Sequence, residues 1–216
     1  MSRSGFPVVV AAPSGTGKTT VCRELVSRDA GLSFSVSHTT RRHRDGEVDG
    51  RDYHFVSQPN FEGLIADEAF LEWAVYNGNR YGTSWRALET RLGEGLDVLL
   101  EIEVQGARQV RERRHDARLI FLLPPSSAAL RERLIARGTD TAAEIDRRLE
   151  VARGELASAP DFDYAVVNDD LQRCVSSLEE ILAAERGQQV RALRAAFDPV
   201  DALDRLRERD AAAGGE

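Results

Sequence analysis

Phe6–Thr20 reads FPVVVAAPSGTGKTT. Its first half, Phe6–Ala11, is a continuous valine-rich apolar run, the pattern of a strand buried on both faces. Pro13–Gly17 is a turn segment. It opens onto Lys18 to about Asp29, where Val21, Leu25 and Val26 form one helical stripe. Strand, glycine-rich turn and helix, in that order, are the setting in which A-P-S-G-T-G-K-T (Ala12–Thr19) reads as a phosphate-binding loop. Gly15 and Gly17 let the backbone turn several N–H groups into one concavity, and the helix N-terminus adds its positive end. The expected triphosphate-binding residues are Ala12, Pro13, Ser14, Gly15, Thr16, Gly17, Lys18, Thr19 and Thr20. Lys18 is expected to reach the β- and γ-phosphates, and the Thr19 hydroxyl to bind Mg²⁺. Ala12 stands where the pattern has its first glycine, and it is still small.

Lys18 is the only lysine among 29 basic residues; the other 28 are arginines. Arginine is the default cation of this chain, so the one lysine marks a place where arginine does not serve. A slender ammonium enters a pocket walled by backbone amides, whereas a planar guanidinium is broader and seeks a bidentate partner.

Outward from the loop, strand and helix patterns alternate. Leu32–Val36 reads as a short strand. Ser37 to about Gly50 is polar, basic and turn-rich. Strand-like Tyr53–Val56, helical Asn60–Ala69, strand-like Phe70–Tyr76 and a helix at about Ser84–Leu92 follow. A second buried-type strand, Asp97–Val104, precedes a helix beginning near Gly106. Arg118–Leu123 is a third, closed by Pro124-Pro125. Ser126–Arg137 and Thr141–Ala157 are helical and rich in arginine, Asp163–Val167 is a last strand, and Leu171–Arg186 is a helix. Such alternation argues an α/β fold with a mainly parallel sheet. In the charged, alanine-rich stretch 191–216, Phe197, Val200, Leu203 and Leu206 are spaced for a helix, and the end reads as disordered.

The 216 residues are 42% apolar, enough for one core domain carrying small insertions. A net charge of −7 excludes general attraction to nucleic acid or anionic membrane, so anionic ligands need local basic clusters. No apolar run approaches the ~18 residues of a membrane helix. Cys22 and Cys174 lack metal-type spacing and read as free buried thiols of a reducing cytoplasm.

Several strings name a substrate. VSHTTRRHRDGEVDGRDYHFV (Val36–Val56), FLEWA (Phe70–Ala74), NRYGT (Asn79–Thr83), DVLLEIEVQGA (Asp97–Ala107), RLIARGTDT (Arg133–Thr141) and VVNDD (Val166–Asp170) are collinear over most of the chain. Together they closely resemble guanylate kinase. The resemblance implies a P-loop nucleoside monophosphate kinase fold: an α/β core with a mainly parallel central sheet flanked by helices, an inserted GMP-binding subdomain and a helical lid. The implied boundaries are a guanylate-kinase-like domain over 1–190, with core 1–36, 96–126 and 158–190, insert 37–95 and lid 127–157, and a helical tail over 191–216. The implied reaction is ATP + GMP ⇌ ADP + GDP with Mg²⁺, in purine nucleotide metabolism and GMP recycling, with dGMP a further acceptor.

The resemblance carries roles onto particular residues. Arg41 and Arg44 match arginines on the GMP phosphate, where guanidinium forks grip a dianion bidentately, and Tyr53 and Tyr81 match the hydroxyls completing that grip. Glu72 matches the carboxylate that reads guanine. Guanine presents N1–H and a 2-amino group as adjacent donors, while adenine faces a carboxylate with an unpaired acceptor. Ser37 and Thr83 match donors to the guanine O6. Glu101 ends the apolar run V-L-L, the usual place for an acid near Mg²⁺. Glu103 matches a carboxylate near the guanine. The two glutamates, where the family usually has aspartates, are read as pointing the same way along one strand. Arg133, Arg137 and Arg148 match lid arginines that spread positive charge over the transferring oxygens, and Asn168 matches a residue near the donor adenine. His43 stands where the family often has proline.

The attacking GMP phosphate oxygen is already ionised, so no general base is required, and His38, His43, His54 and His115 carry no catalytic role. ATP and GMP are the expected partners, with neither nucleic acid nor membrane, and the oligomeric state is left open. The alternatives are a nucleoside monophosphate kinase of relaxed base preference and a non-catalytic guanylate-kinase-like protein-binding module.

Overall fold

The computed structural model describes residues 4–76, 78–136 and 141–213. Along the chain the elements are β1 (Pro7–Ala11), α1 (Lys18–Arg28), β2 (Leu32–Phe34), β3 (His38–Thr39), β4 (His54–Phe55), α2 (Gln58–Ala66), β5 (Phe70–Tyr76), β6 (Asn79–Ser84) and α3 (Trp85–Gly93). Then come β7 (Asp97–Glu101), α4 (Val104–Arg113), β8 (Arg118–Leu123), α5 (Ser127–Ala136), α6 (Ala142–Leu156), a 3₁₀ turn (Ala159–Asp161), β9 (Tyr164–Val167), α7 (Leu171–Gly187), α8 (Arg191–Ala196) and α9 (Pro199–Ala213). Five strands follow the order β2-β7-β1-β8-β9, with β2 parallel to β7 and β8 parallel to β9. The apolar runs account for their burial: every residue of β1 is buried, and Val98, Leu99 and Ile120–Leu123 are fully enclosed.

The chain forms two compact units. One comprises the residues up to Val9 and Ala30–Arg118; the other comprises Val10–Asp29 and Leu119–Glu216. The first unit contains a second sheet of order β4-β3-β6-β5, in which β3 runs parallel to β4 and β6 runs antiparallel to β3 and β5. Between Phe70 and Glu72 the β5 register slips against β6, leaving Leu71 as an extra residue. α2 begins at Ser57, whose hydroxyl accepts from Asn60 N, and α3 at Ser84, whose hydroxyl accepts from Ala87 N.

In the second unit, α1 packs on α7, and α7 and α9 pack on β9. α5 and α6 share a core of Leu130, Leu134, Ile145, Leu149 and Ala152. α6 opens with a capping box, Thr141 with Glu144. α9 runs through Ala213, so 211–213 of the end expected to be disordered are helical, and 214–216 lie outside the described residues. Leu203 and Leu206 are buried as their helical spacing suggests, whereas Val200 is exposed. Phe197 O accepts from Ala165 N, and Asp210 accepts from Ser127 N at 2.9 Å and Ser127 Oγ at 2.6 Å.

Candidate active site

The second unit carries the residues expected to hold the triphosphate. Gly15 and Gly17 take φ +92° and +95°, the left-handed backbone that the loop demands and that side chains rarely adopt. Thr16 N donates to Pro13 O at 3.1 Å, and Val21 N to Gly17 O at 3.2 Å, so the turn closes directly into α1. Lys18 is the first residue of that helix, and Thr19 and Thr20 follow it exposed at its mouth. Ala12, Pro13, Gly15 and Thr16 are buried and Ser14 half-buried. Leu130 and Leu134 of α5 stand against Gly15, where an added Cβ would come within 3.1 and 3.0 Å of them.

Two residues expected at the lid and the adenine brace this loop. Arg133 Nη1 donates to Thr16 O at 3.0 Å and Nη2 to Asn168 O at 2.9 Å. The Asn168 amide donates to the same Thr16 carbonyl at 2.6 Å and lies under Gly17, where an added Cβ would be 2.8 Å from Nδ2. Arg148 is half-buried on α6. Arg137 lies outside the described residues.

The first unit carries the residues expected at the acceptor. Glu72 is 3% exposed, and its Oε1 accepts from Thr83 N at 3.0 Å. Thr83 is fully buried, with Oγ1 3.4 Å from Ser37 Oγ. The strand register sets this convergence: Glu72 stands opposite Thr83, and His38, next to Ser37, opposite Gly82.

A few residues away lies the cluster expected to grip a phosphate. Arg41 packs over the rings of Tyr53 and Phe55, at 5.3 and 5.7 Å. Its Nη2 donates to Glu47 Oε1 at 2.7 Å and its Nη1 to Arg42 O at 2.7 Å. Glu47 also accepts from Arg44 N at 2.9 Å, folding the basic segment around one carboxylate. The hydrogen bond to Arg41 holds the Glu47 carboxyl below the ordinary carboxylate range and raises Arg41 in turn. Tyr53 and Tyr81 face each other at 6.1 Å. Burial, then the nearby Glu101 charge and Tyr81, push the Tyr53 phenol up, so its hydroxyl stays protonated and able to donate. The Arg44 side chain is exposed, as is Arg42. His43, where the family often has proline, lies edge-on to Phe55 at 4.9 Å.

One premise about the glutamates does not hold. β7 ends at Glu101, and Glu103 is the N-cap of α4, so the two are not successive same-face residues of one strand. The strand ends three residues before Val104, to which it was expected to run, because α4 begins at Val104 rather than near Gly106. Both glutamates are half-buried. Glu47, Gly106, Gln109 and Arg113 carry no motif in the sequence, although all four touch or support the residues expected at the acceptor. Glu47 was legible only as the acid inside a basic run.

A strand, a turn of two left-handed glycines and a helix on a mainly parallel sheet, together with a second sheet that carries the buried Glu72, make the fold that of a P-loop nucleoside monophosphate kinase. The family model described as guanylate kinase matches residues 4–185. Guanylate kinase of Neisseria meningitidis serogroup A is 50% identical over 191 residues, covering 88% of this chain and 93% of its own. That of Geobacter metallireducens is 43% identical over 201 residues, covering 93% and 99%. The crystal structure of guanylate kinase from Anaplasma phagocytophilum superposes with a TM-score of 0.71 at 34% identity, covering 86% of this chain and 89% of that one. The chain belongs to the guanylate kinase family.

Proposed function

We infer that this protein is an ATP:GMP phosphotransferase, moving the γ-phosphoryl group of ATP to GMP to give ADP and GDP. The observation that carries the reading is Glu72: a carboxylate 3% exposed, held by Thr83 N and beside the Ser37–Thr83 hydroxyl pair. A buried carboxylate flanked by hydroxyls matches the donor pair and O6 acceptor of guanine, and it penalises adenine by leaving polar groups unpaired.

In this reading the insert 37–95 holds GMP, with Arg41, Arg44, Tyr53 and Tyr81 on its phosphate and Ser37, Glu72, Thr83 and Glu103 at its base. Arg41 is charged and preset by Glu47, and the incoming phosphate dianion exchanges for that carboxylate. Residues 12–20 hold the ATP phosphates on backbone amides and Lys18. Arg133, Arg137 and Arg148, in the lid segment 127–157, and Asn168 complete the donor side; Arg133 and Asn168 act there by fixing the loop carbonyl of Thr16. The nucleophile is a phosphate oxygen of GMP, ionised at neutral pH, so catalysis consists of positioning and charge stabilisation.

Mg²⁺ is the expected companion of ATP. Thr19 Oγ1, exposed on the first turn of α1, and the Glu101 carboxylate, half-buried at the end of β7, are the hard oxygen donors that this ion prefers. These two residues would hold the ion, which would supply positive charge to offset that of the phosphates. Among the described residues no group of three or more His, Cys, Asp or Glu could hold a metal ion. A cytoplasmic setting accords with two buried, unbridged cysteines, the Cys174 thiol pushed up to about 12 by its burial. Among the described residues no helix is long and apolar enough to cross a membrane.

The test is coupled ADP release with GMP, dGMP, AMP, CMP and UMP as acceptors. GMP and dGMP are expected to turn over and AMP to lag by about a hundredfold or more. Equal turnover with AMP would overturn the base assignment, and no turnover with any acceptor would favour the non-catalytic module.

A further inference from the structure

Glu72 is seated on a face of α4 built from residues that no phosphate or base contact requires. At the β5 bulge Arg113 Nη1 donates to two carbonyls, Phe70 O at 2.9 Å and Leu71 O at 2.8 Å. On the other side of Glu72, Gln109 clamps Trp73 at two points: Oε1 accepts from Trp73 N at 3.2 Å and Nε2 donates to Trp73 O at 2.7 Å. Between them the carboxylate lies against Gly106, where an added Cβ would stand 2.4 Å from Glu72 Oε2 and 3.2 Å from Cδ. Positions 106, 109 and 113 share one helical face.

We propose that this face of α4 sets the position of the base-reading carboxylate, with Gly106 as the specificity-determining positioning residue. The proposal rests on Glu72 reading guanine. Glycine inside a helix is a poorer helix former than alanine. Its place here has a local reason: any side chain would occupy the volume of the carboxylate. The atom displaced by alanine would be the far end of Glu72, so the fold yields easily and the reading group moves. To regain ordinary contact Oε2 must shift by about an ångström, and misplacement on that scale costs up to about a hundredfold in catalysis.

The test uses the full-length protein with Gly106→Ala, Gln109→Met, Glu72→Ala and the double variant Gly106→Ala with Glu72→Ala. Steady-state kinetics are measured with GMP and with IMP, whose base keeps O6 and N1–H but lacks the 2-amino group. Gly106→Ala is expected to melt no lower than wild type and to lose about ten- to a hundredfold in kcat/KM for GMP. The loss should fall on the KM for GMP, leave the KM for ATP unchanged and shrink the GMP-over-IMP preference. In the Glu72→Ala background the same substitution is expected to add nothing. Gln109→Met should show the same pattern more mildly, and it keeps the test open if Gly106→Ala folds poorly. Wild-type GMP kinetics in Gly106→Ala, or an equal loss with Glu72 already removed, would overturn the proposal alone. A Glu72→Ala variant that kept the preference for GMP over IMP would remove the base reading and this proposal with it.

Discussion

Replacing Asp210 by alanine would release the start of α5 from the C-terminal helix. Asp210 accepts from Ser127 N and Ser127 Oγ across 83 residues of sequence. It supplements the helix's own cap, Ser126 Oγ, which accepts from Ala129 N at 3.0 Å. Loss of a capping acceptor costs about 1 kcal/mol, and a hydrogen bond to a charged group about 1.5–3 kcal/mol. Both partners are half-exposed and water replaces part of what is lost, so the combined cost is about 2 kcal/mol. For a chain of this size that lowers the melting temperature by about 4–8 °C. Asp210→Asn keeps one acceptor and should lose about half as much, and Ser127→Ala should add little to Asp210→Ala because both remove the same contact. Differential scanning calorimetry with urea melts at neutral pH makes the measurement. A shift below about 1 °C in Asp210→Ala, or full additivity with Ser127→Ala, would show that the tail does not hold α5 in this way.

Arg133 spans two carbonyls, Thr16 O and Asn168 O, with two nitrogens of one fork. A lysine ammonium cannot reproduce that span, so Arg133→Lys should raise the KM for ATP by about tenfold, nearly as much as Arg133→Met; recovery of wild-type KM by lysine would show that charge alone suffices. His38 lies 4.7 Å from His54 and edge-on to Phe70, and burial, then His54, lower its pKa below 6.5 against the opposing pull of Asp49. The unfolded chain therefore takes up this proton more readily, so the contribution of His38 to stability is present above that value and lost as pH falls through the folded-state pKa. The melting temperature should decline from about pH 7 to pH 5 with a slope that His38→Gln reduces, and an unchanged slope would refute the assignment.

The segments legible in the sequence are those whose burial is uniform. β1 is apolar throughout and β8 from Leu119 onward, and their runs announce them without reference to any neighbour. β6, NRYGTS, shows no alternation because a glycine sits at its crossing: a Cβ on Gly82 would come within 2.9 Å of the Phe70 ring. Its existence follows from pairing with β5, which local sequence does not display. The two-residue β3 is invisible for the same reason. At the candidate site, the residues that stand out in the sequence are those in a distinctive setting: Lys18 after a glycine turn, Arg41 in a basic segment, Glu72 on an apolar strand. Gln109 and Arg113 look like solvent-facing residues of an arginine-rich helix. Their task is backbone support for a strand 36 to 43 residues away. Glu103 was misplaced because the apolar pattern runs on past Glu101, while the strand stops there and α4 begins.

The most direct test of phosphoryl transfer at this loop is the rate of ADP formation from ATP and GMP by Lys18→Arg beside Lys18→Ala and wild type. Lys18 begins α1 at the end of a turn shaped by two left-handed glycines, a place for a slender ammonium and not for a planar fork. Both variants are expected to melt near wild type and to lose at least about a hundredfold in kcat, as when one preorganised donor to a developing charge is removed. Near-wild-type turnover by Lys18→Arg would contradict the reading of the single lysine, and undiminished turnover by Lys18→Ala would contradict phosphoryl transfer at this loop altogether.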